Sequence, residues 1–263
     1  AALLLEPTFL EYRRALRIHG AEVRPVSLAE KHGFSAPLAH LAHAAQGVDM
    51  VFLANPNNPT GVLRERGEVA SFLEEMERRS VFTVVDEAFI DWMPENSVGR
   101  LVTDRSSFFV IRSLTKFFNL PGLRVGFGLG AKRLVEKLER LRVMWSVSGL
   151  AEALGAAALR DAEFQARSRA WLPSERRFLE EELKPIEALE VFPSEANFIL
   201  ARLKNSMGVE ALETELAESK IMVRNAANFI GLDQRYFRVA VRDRSENVRL
   251  LEALKKIFHP ACV

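Results

Sequence analysis

The chain has 263 residues, 48% of them hydrophobic, and its 36 Lys and Arg nearly balance its 35 Asp and Glu. This composition supports a sizeable core, and the sequence has neither a basic stripe for nucleic acid nor an apolar run long enough to cross a bilayer, which argues against both classes of protein. The lone Cys262 cannot form an intrachain disulfide, which fits a reducing compartment such as the cytoplasm, and with His259 it supplies too few ligands for a metal site.

The chain begins with "AALLLEPTF", which lacks an initial Met and enters directly into an apolar run. No basic segment precedes this run, so it does not have the pattern of a signal peptide. We interpret the sequence as a fragment and expect that further residues lie upstream of Ala1.

Short apolar runs alternate with amphipathic helices in the first part of the chain. Buried strands are predicted at 2–5, 50–54, 81–85, 108–111 and 125–129. Between the second and third of them, apolar residues recur at helical spacing from Val69 to Met76, and a charged helix is predicted at about 132–145. This alternation predicts an α/β domain with a mainly parallel sheet flanked by helices.

A long alanine-rich helical stretch, 148–183, is predicted to be interrupted near Pro173 and to carry the chain into a second unit. We place the domain boundary between 1–160 and 161–263. In the second unit "NFILARL", "IMVR" and "YFRVAV" predict strands, and "SENVRLLEALKKIF" predicts a closing helix. Asp243 and Glu246 have the spacing of a capping box before this helix. The second unit is therefore predicted to be a smaller α+β domain.

Polar segments follow three of the predicted strands of the first domain. They are "NPNNPTG" (55–61), "DEAFIDW" (86–92) and "RSLTK" (112–116). Ligands of open α/β sheets bind beyond the carboxyl ends of the strands, so these segments are expected to converge on one site. Glu87 and Asp91 in the second segment are interpreted as solvated or capping residues.

Lys116 is a cation in a mostly apolar run, "RSLTKFFNLPGLRVGF". A buried ammonium is costly unless it is paired or chemically used, although a lysine can also extend from a helix end to solvent. The other polar residues also have purely structural interpretations: Asp86 could cap a helix, and Asn58 could stabilise a turn without binding a ligand.

These motifs, together with "WSVSGLAEALGAAAL" and "NAANFIGLDQRYFRVAVR", resemble the fold-type-I pyridoxal-phosphate (PLP) enzymes over about residues 1–258. The closest resemblance is to the branch that contains histidinol-phosphate aminotransferase and threonine-phosphate decarboxylase. It implies PLP as the cofactor, with Lys116 as the lysine that binds it covalently. It also implies that Asp86 pairs with the ring nitrogen and that Asn58 donates to the ring oxygen.

The same resemblance implies the remaining cofactor contacts. Ser113 and Arg124 would bind the phosphate, and an arginine fork suits such a group. Ala88 would lie against one face of the ring and Phe9 would stack on the other, although core packing is an equally good interpretation of Phe9. Because relatives carry a glycine-rich segment upstream, we expect the chain alone to bind PLP weakly and to turn over slowly or not at all, and the same residues in a longer chain to be active.

Substrate contacts are expected from the second domain. The resemblance implies that Asn197, Arg224 and Arg238 bind a small phosphorylated amino-acid substrate. The alternative for each arginine is a solvated charge on an edge strand, and Arg242 is interpreted as structural.

Phe89 stands where many related aminotransferases carry a tyrosine, and phenylalanine cannot donate a hydrogen bond. This favours decarboxylation of threonine phosphate in cobalamin biosynthesis over transamination of histidinol phosphate. A truncated scaffold without catalytic activity remains a further alternative. The resemblance also implies a homodimer, and it implies no metal, nucleic-acid or membrane partner.

Overall fold

The computed structural model describes residues 1–258, so His259 and Cys262 lie outside the described residues. The strands are β1 (Ala2–Glu6), β2 (Val23–Ser27), β3 (Met50–Ala54), β4 (Phe82–Asp86), β5 (Phe108–Ser113), β6 (Gly126–Gly130), β7 (Leu189–Val191), β8 (Phe198–Leu203), β9 (Arg224–Asn225) and β10 (Tyr236–Ala240). The helices are α1 (Leu10–Ile18), α2 (Leu38–Ala44), α3 (Arg66–Arg78), α4 (Lys132–Leu141), α5 (Gly149–Arg160), α6 (Ala162–Leu183), α7 (Val209–Glu218) and α8 (Arg244–Phe258). Within this range, the helices are too short or too polar to cross a membrane.

The first sheet has the strand order β2-β1-β3-β4-β5-β6. All neighbours are parallel except β5 and β6, which are antiparallel. The predicted strands that correspond to β1, β3, β4 and β5 are confirmed, as is the mainly parallel sheet flanked by helices. The carboxyl ends of these four strands therefore lie at the same edge of the sheet.

Two strands of this sheet differ from the prediction, and both lie at its edges. β6 was predicted to be buried, but Gly126, Phe127 and Gly128 are exposed because β6 pairs on one side only. β2 was not predicted, since Arg24 and Pro25 interrupt its apolar pattern. Proline is tolerated at an edge because no neighbouring strand needs its missing N–H.

The helices follow the sequence pattern, with two corrections. α3 buries Val69, Phe72, Leu73 and Met76 as predicted. α4 ends at Leu141, short of the predicted residue 145. The break in the long helical stretch falls at Asp161 and not near Pro173, because the Asp161 carboxylate accepts from the Phe164 N–H at 2.9 Å and caps α6.

The second sheet is antiparallel, with the order β7-β8-β10-β9. Of the predicted strand "IMVR", only Arg224 lies in β9. The predicted cap of the closing helix is present, since Asp243 Oδ1 accepts from the Glu246 N–H at 2.9 Å. The boundary that we propose between residues 160 and 161 falls at the junction of α5 and α6.

The hydrophobic core of the first sheet includes residues from the second half of the chain. Phe192, Leu200 and Phe229 pack in the same cluster as Leu3 and Val51. The first sheet is thus packed against β8 and the segments that precede β8 and β10. This packing fixes the walls of the cavity described next.

Candidate active site

A cavity of about 460 Å³ lies beyond the carboxyl ends of β1, β3, β4 and β5. It is also lined by residues of β9 and β10 from the second sheet. Nine of the ten residues that the sequence predicts for the site line this cavity: Phe9, Asn58, Asp86, Ala88, Ser113, Lys116, Arg124, Arg224 and Arg238. Residues far apart in the sequence therefore meet where the strand pattern places them.

Asn197 is the predicted residue that does not line the cavity. It directly precedes β8, and its backbone carbonyl accepts from the Val241 N–H at 2.9 Å. Its side-chain Oδ1 is buried and has no hydrogen-bond partner among residues 1–258. Its contact with the substrate therefore stays a prediction.

Lys116 is exposed to the cavity between the buried Thr115 and Phe117. Its Nζ donates to Thr115 Oγ1 at 3.0 Å, and that oxygen lies 2.7 Å from Ser113 Oγ. Partial burial holds the pKa of Lys116 below its usual value of 10.5, and the cations Arg124 and Arg238 add to this effect. The neutral, nucleophilic amine is therefore present at a lower pH than in a solvated lysine.

We expect Arg124→Gln to raise the pKa of Lys116, because the substitution removes a neighbouring cation that disfavours the ammonium form. The pKa can be measured on the cofactor-free protein by NMR titration after ¹³C reductive methylation of the lysines. Arg133→Gln, on the exposed face of α4, is the matched control and should leave the pKa unchanged. Equal pKa values in the parent and the Arg124 variant would contradict the electrostatic role of Arg124.

Asp86 ends β4 at the inner wall of the cavity. Its Oδ1 accepts from the Ala88 N–H at 2.9 Å, and its Oδ2 accepts from the Tyr12 hydroxyl. Burial raises the pKa of Asp86, while these donors and the charge of Lys116 oppose the shift. Sequence reasoning missed Tyr12, which lies in the first turn of α1, three residues after Phe9.

The loop that carries Asn58 is fixed by its neighbours. Asn57 Nδ2 donates to the Pro7 carbonyl at 3.0 Å, which joins this loop to the end of β1. Gly61 has φ 73°, and a Cβ at this position would lie 2.0 Å from Ser194 Oγ. Only glycine allows this turn and this close approach to the second half of the chain.

Two arginines enter the cavity from neighbouring strands of the second sheet. Arg238 and Arg224 are direct partners in the β10–β9 register. Arg238 donates to Asn58 Oδ1, and its Cζ lies 4.3 Å from the centre of the Phe198 ring. Burial, with repulsion from Arg224, lowers the pKa of Arg238 to about 10, so it is still a cation at neutral pH. The partly buried Arg238 and the exposed Arg224 together suit an anionic ligand.

Arg224 has a second partner that sequence reasoning missed. Its Nη2 donates to Asn228 Oδ1 at 2.9 Å, and Asn228 also lines the cavity. The repeated Asn in "NAANF" was a possible signal, but the sequence does not show which asparagine faces the ligand.

Glu87 and Asp91 are buried, so their interpretation as solvated or capping residues is wrong. Glu87 Oε1 accepts from the Val98 N–H at 2.7 Å, and Arg112 pairs with both carboxylates. Burial raises the pKa of each acid. The cation that pairs with both acids is Arg112 on the neighbouring strand β5. Because Arg112 lies outside "DEAFIDW", the motif alone does not predict this pairing.

The side chains that line the cavity fit a ligand that carries an aromatic ring with a basic nitrogen and a phosphate group. Asp86 is a partly buried carboxylate able to pair with the protonated nitrogen, and Phe9 and Ala88 offer apolar surface. Ser113 and Arg124 supply a hydroxyl and a guanidinium for the phosphate, beside the Lys116 amine.

A family model, "Aminotransferase class I and II", matches residues 1–254. The chain belongs to this family. The threonine-phosphate decarboxylase of Salmonella typhimurium is 36% identical over 98% of this chain and 71% of its own length. The histidinol-phosphate aminotransferase of Methanococcus aeolicus is 30% identical over 96% of this chain and 68% of its own length.

Comparison of structures gives the same family. The crystal structure of the histidinol-phosphate aminotransferase from Clostridium acetobutylicum has a TM-score of 0.91 and 32% identity, and the match covers 98% of this chain and 78% of that chain. Enzymes of the aminotransferase class I and II family depend on PLP, and the donors of the cavity fit this cofactor. The fold is therefore that of the fold-type-I PLP enzymes, as the sequence resemblance implied.

Proposed function

We propose that the protein is a PLP-dependent decarboxylase that converts L-threonine O-3-phosphate into (R)-1-amino-2-propanol O-2-phosphate in cobalamin biosynthesis. The 36% identity to a threonine-phosphate decarboxylase over nearly the whole chain carries this proposal. Phe89 lines the cavity without a hydrogen-bonding group, which is consistent with it.

The cations of the cavity fit a substrate with two acidic groups. Lys116 and Arg124 lie on the side of the first sheet, and Arg224 and Arg238 lie on the side of the second. If Arg124 holds the cofactor phosphate, Arg224 and Arg238 remain to bind the carboxylate and the phosphate of the substrate.

PLP, when bound, accepts the electron pair of the bond that breaks at the substrate Cα. The Asp86 carboxylate would stabilise the protonated, positively charged ring nitrogen. Arg224 and Arg238 orient the substrate and thereby select the bond to its carboxylate. Lys116 Nζ would take up the proton that the substrate ammonium group gives up, and it would then deliver this proton to the carbon that has lost CO₂; its lowered pKa favours this release.

Transamination of histidinol phosphate is the second candidate function. The 30% identity to a histidinol-phosphate aminotransferase and the close structural match support it. The same residues would serve this reaction, with Lys116 moving the Cα proton instead. A non-catalytic scaffold is the third alternative, and the homodimer and the cytoplasmic location stay predictions.

In a complete homologous chain, we expect threonine phosphate to release CO₂ and to yield aminopropanol phosphate without a keto-acid acceptor. The assay measures both products in the presence of PLP, and Lys116→Ala is the control for background reaction. Formation of glutamate from histidinol phosphate and 2-oxoglutarate, without CO₂ from threonine phosphate, would instead establish the aminotransferase. A protein that develops no new visible or near-ultraviolet absorbance after addition of PLP would support the scaffold.

A further inference from the structure

Tyr12 makes a partly buried hydrogen bond to Asp86 that the roles given above do not use. It lies in the first turn of α1, and its hydroxyl donates to Asp86 Oδ2 at the end of β4. The Tyr12 residue is only 7% exposed. Its ring is stacked on Phe52 at 5.0 Å between centroids and meets the edge of Phe9 at 5.5 Å. The hydroxyl is thus held in place by the packing of its ring.

The two oxygens of Asp86 each have one fixed donor. Oδ1 accepts from the Ala88 N–H at 2.9 Å, and Oδ2 accepts from Tyr12. A carboxylate has about four acceptor positions, so each oxygen can still accept a further donor. Because both present donors belong to packed elements, the carboxylate is held in one orientation while it can still pair with a cation in the cavity.

The charge of Asp86 needs this support because burial disfavours the ionised form. The charge of Lys116, which also lines the cavity, favours ionisation of Asp86. Once the Lys116 amine is neutral or covalently used, the Tyr12 hydroxyl and the Ala88 N–H remain as supports.

We propose that Tyr12 is a positioning residue that keeps the Asp86 carboxylate oriented and ionised for its pairing with the cationic ring nitrogen of the cofactor. This rests on PLP as the cofactor but not on which reaction follows. Tyr12 also contacts Phe9, so one residue supports both the carboxylate and the aromatic side chain of the PLP site.

The test is Tyr12→Phe, which removes the hydroxyl and keeps the ring. In the cofactor-free protein, ¹³C NMR titration of the Asp86 carboxyl should show a pKa raised by about one unit, as expected for the loss of one hydrogen bond to a charged group. Affinity for PLP, measured by absorbance titration, should fall about tenfold. The loss should grow as the pH falls, since a higher pKa leaves less carboxylate.

Tyr236→Phe is the matched control, because Tyr236 is the other tyrosine of the chain and stacks on Phe192 away from the cavity. It should change neither quantity. A second comparison repeats Tyr12→Phe in an Asp86→Asn background, where the effect on PLP affinity should largely disappear. An unchanged Asp86 pKa, or the same loss of PLP affinity in both backgrounds and at every pH, would contradict the proposal and show that Tyr12 contributes only packing. The Asp86 titration needs neither substrate nor cofactor, so it is independent of the proposed reaction.

Discussion

Lys116→Ala is expected to abolish covalent attachment of PLP and to lower turnover by at least about 10²–10⁴-fold, the range for loss of a general acid–base group. The reason is that the Lys116 Nζ is the amine of lowered pKa in the cavity, beside Ser113, Thr115 and Arg124. Borohydride reduction in the presence of PLP, followed by peptide mass spectrometry, measures the attachment.

Lys137→Ala is the matched control for this experiment, because Lys137 is exposed on α4 and does not line the cavity. It should be labelled and should turn over like the parent. Label on another lysine in the parent, or equal labelling of the Lys116 variant, would show that the assignment is wrong.

Arg238→Gln should weaken the apparent affinity for an anionic substrate by about 10- to 150-fold, which corresponds to one lost hydrogen bond to a charged group. Arg238 is a largely buried cation, so its interaction with an anion is screened little by solvent. The effect should appear mainly in KM, measured with threonine phosphate, while the protein still binds PLP.

Arg242→Gln is the control for Arg238, because Arg242 lies four residues further along the chain but is exposed and paired with Glu246. Its substitution should leave KM unchanged. A KM that rises equally in both variants would show a general effect of positive charge, and an unchanged KM in the Arg238 variant would remove Arg238 from the substrate site.

The strands and the cavity could be predicted because short buried runs and the polar residues that follow them are local patterns. β1, β3, β4 and β5 each place their polar residues at the same sheet edge. The strand β6 is present, but its predicted burial was wrong, since exposure depends on whether a neighbouring strand covers it and "VGFGL" carries no information about its neighbours.

Partners from distant parts of the chain could not be predicted. The burial of Glu87 depends on Arg112, and the hydrogen bond of Asp86 depends on Tyr12. In each case the sequence around the acid alone is compatible with a solvated position. The side chain is buried only because two elements distant in the sequence pack together. The motif resemblance supplied residue roles in the cavity, but it did not supply these supporting contacts.

The hydrogen bond between Arg238 and Asn58 joins residues that are 180 positions apart. Closing a loop of this length costs conformational entropy, which the packing of the two sheets has to compensate. The cavity therefore does not exist in a chain in which only one of the two sheets has formed. Affinity for the cofactor thus reports on the completed tertiary structure, whereas helix content reports only on its parts.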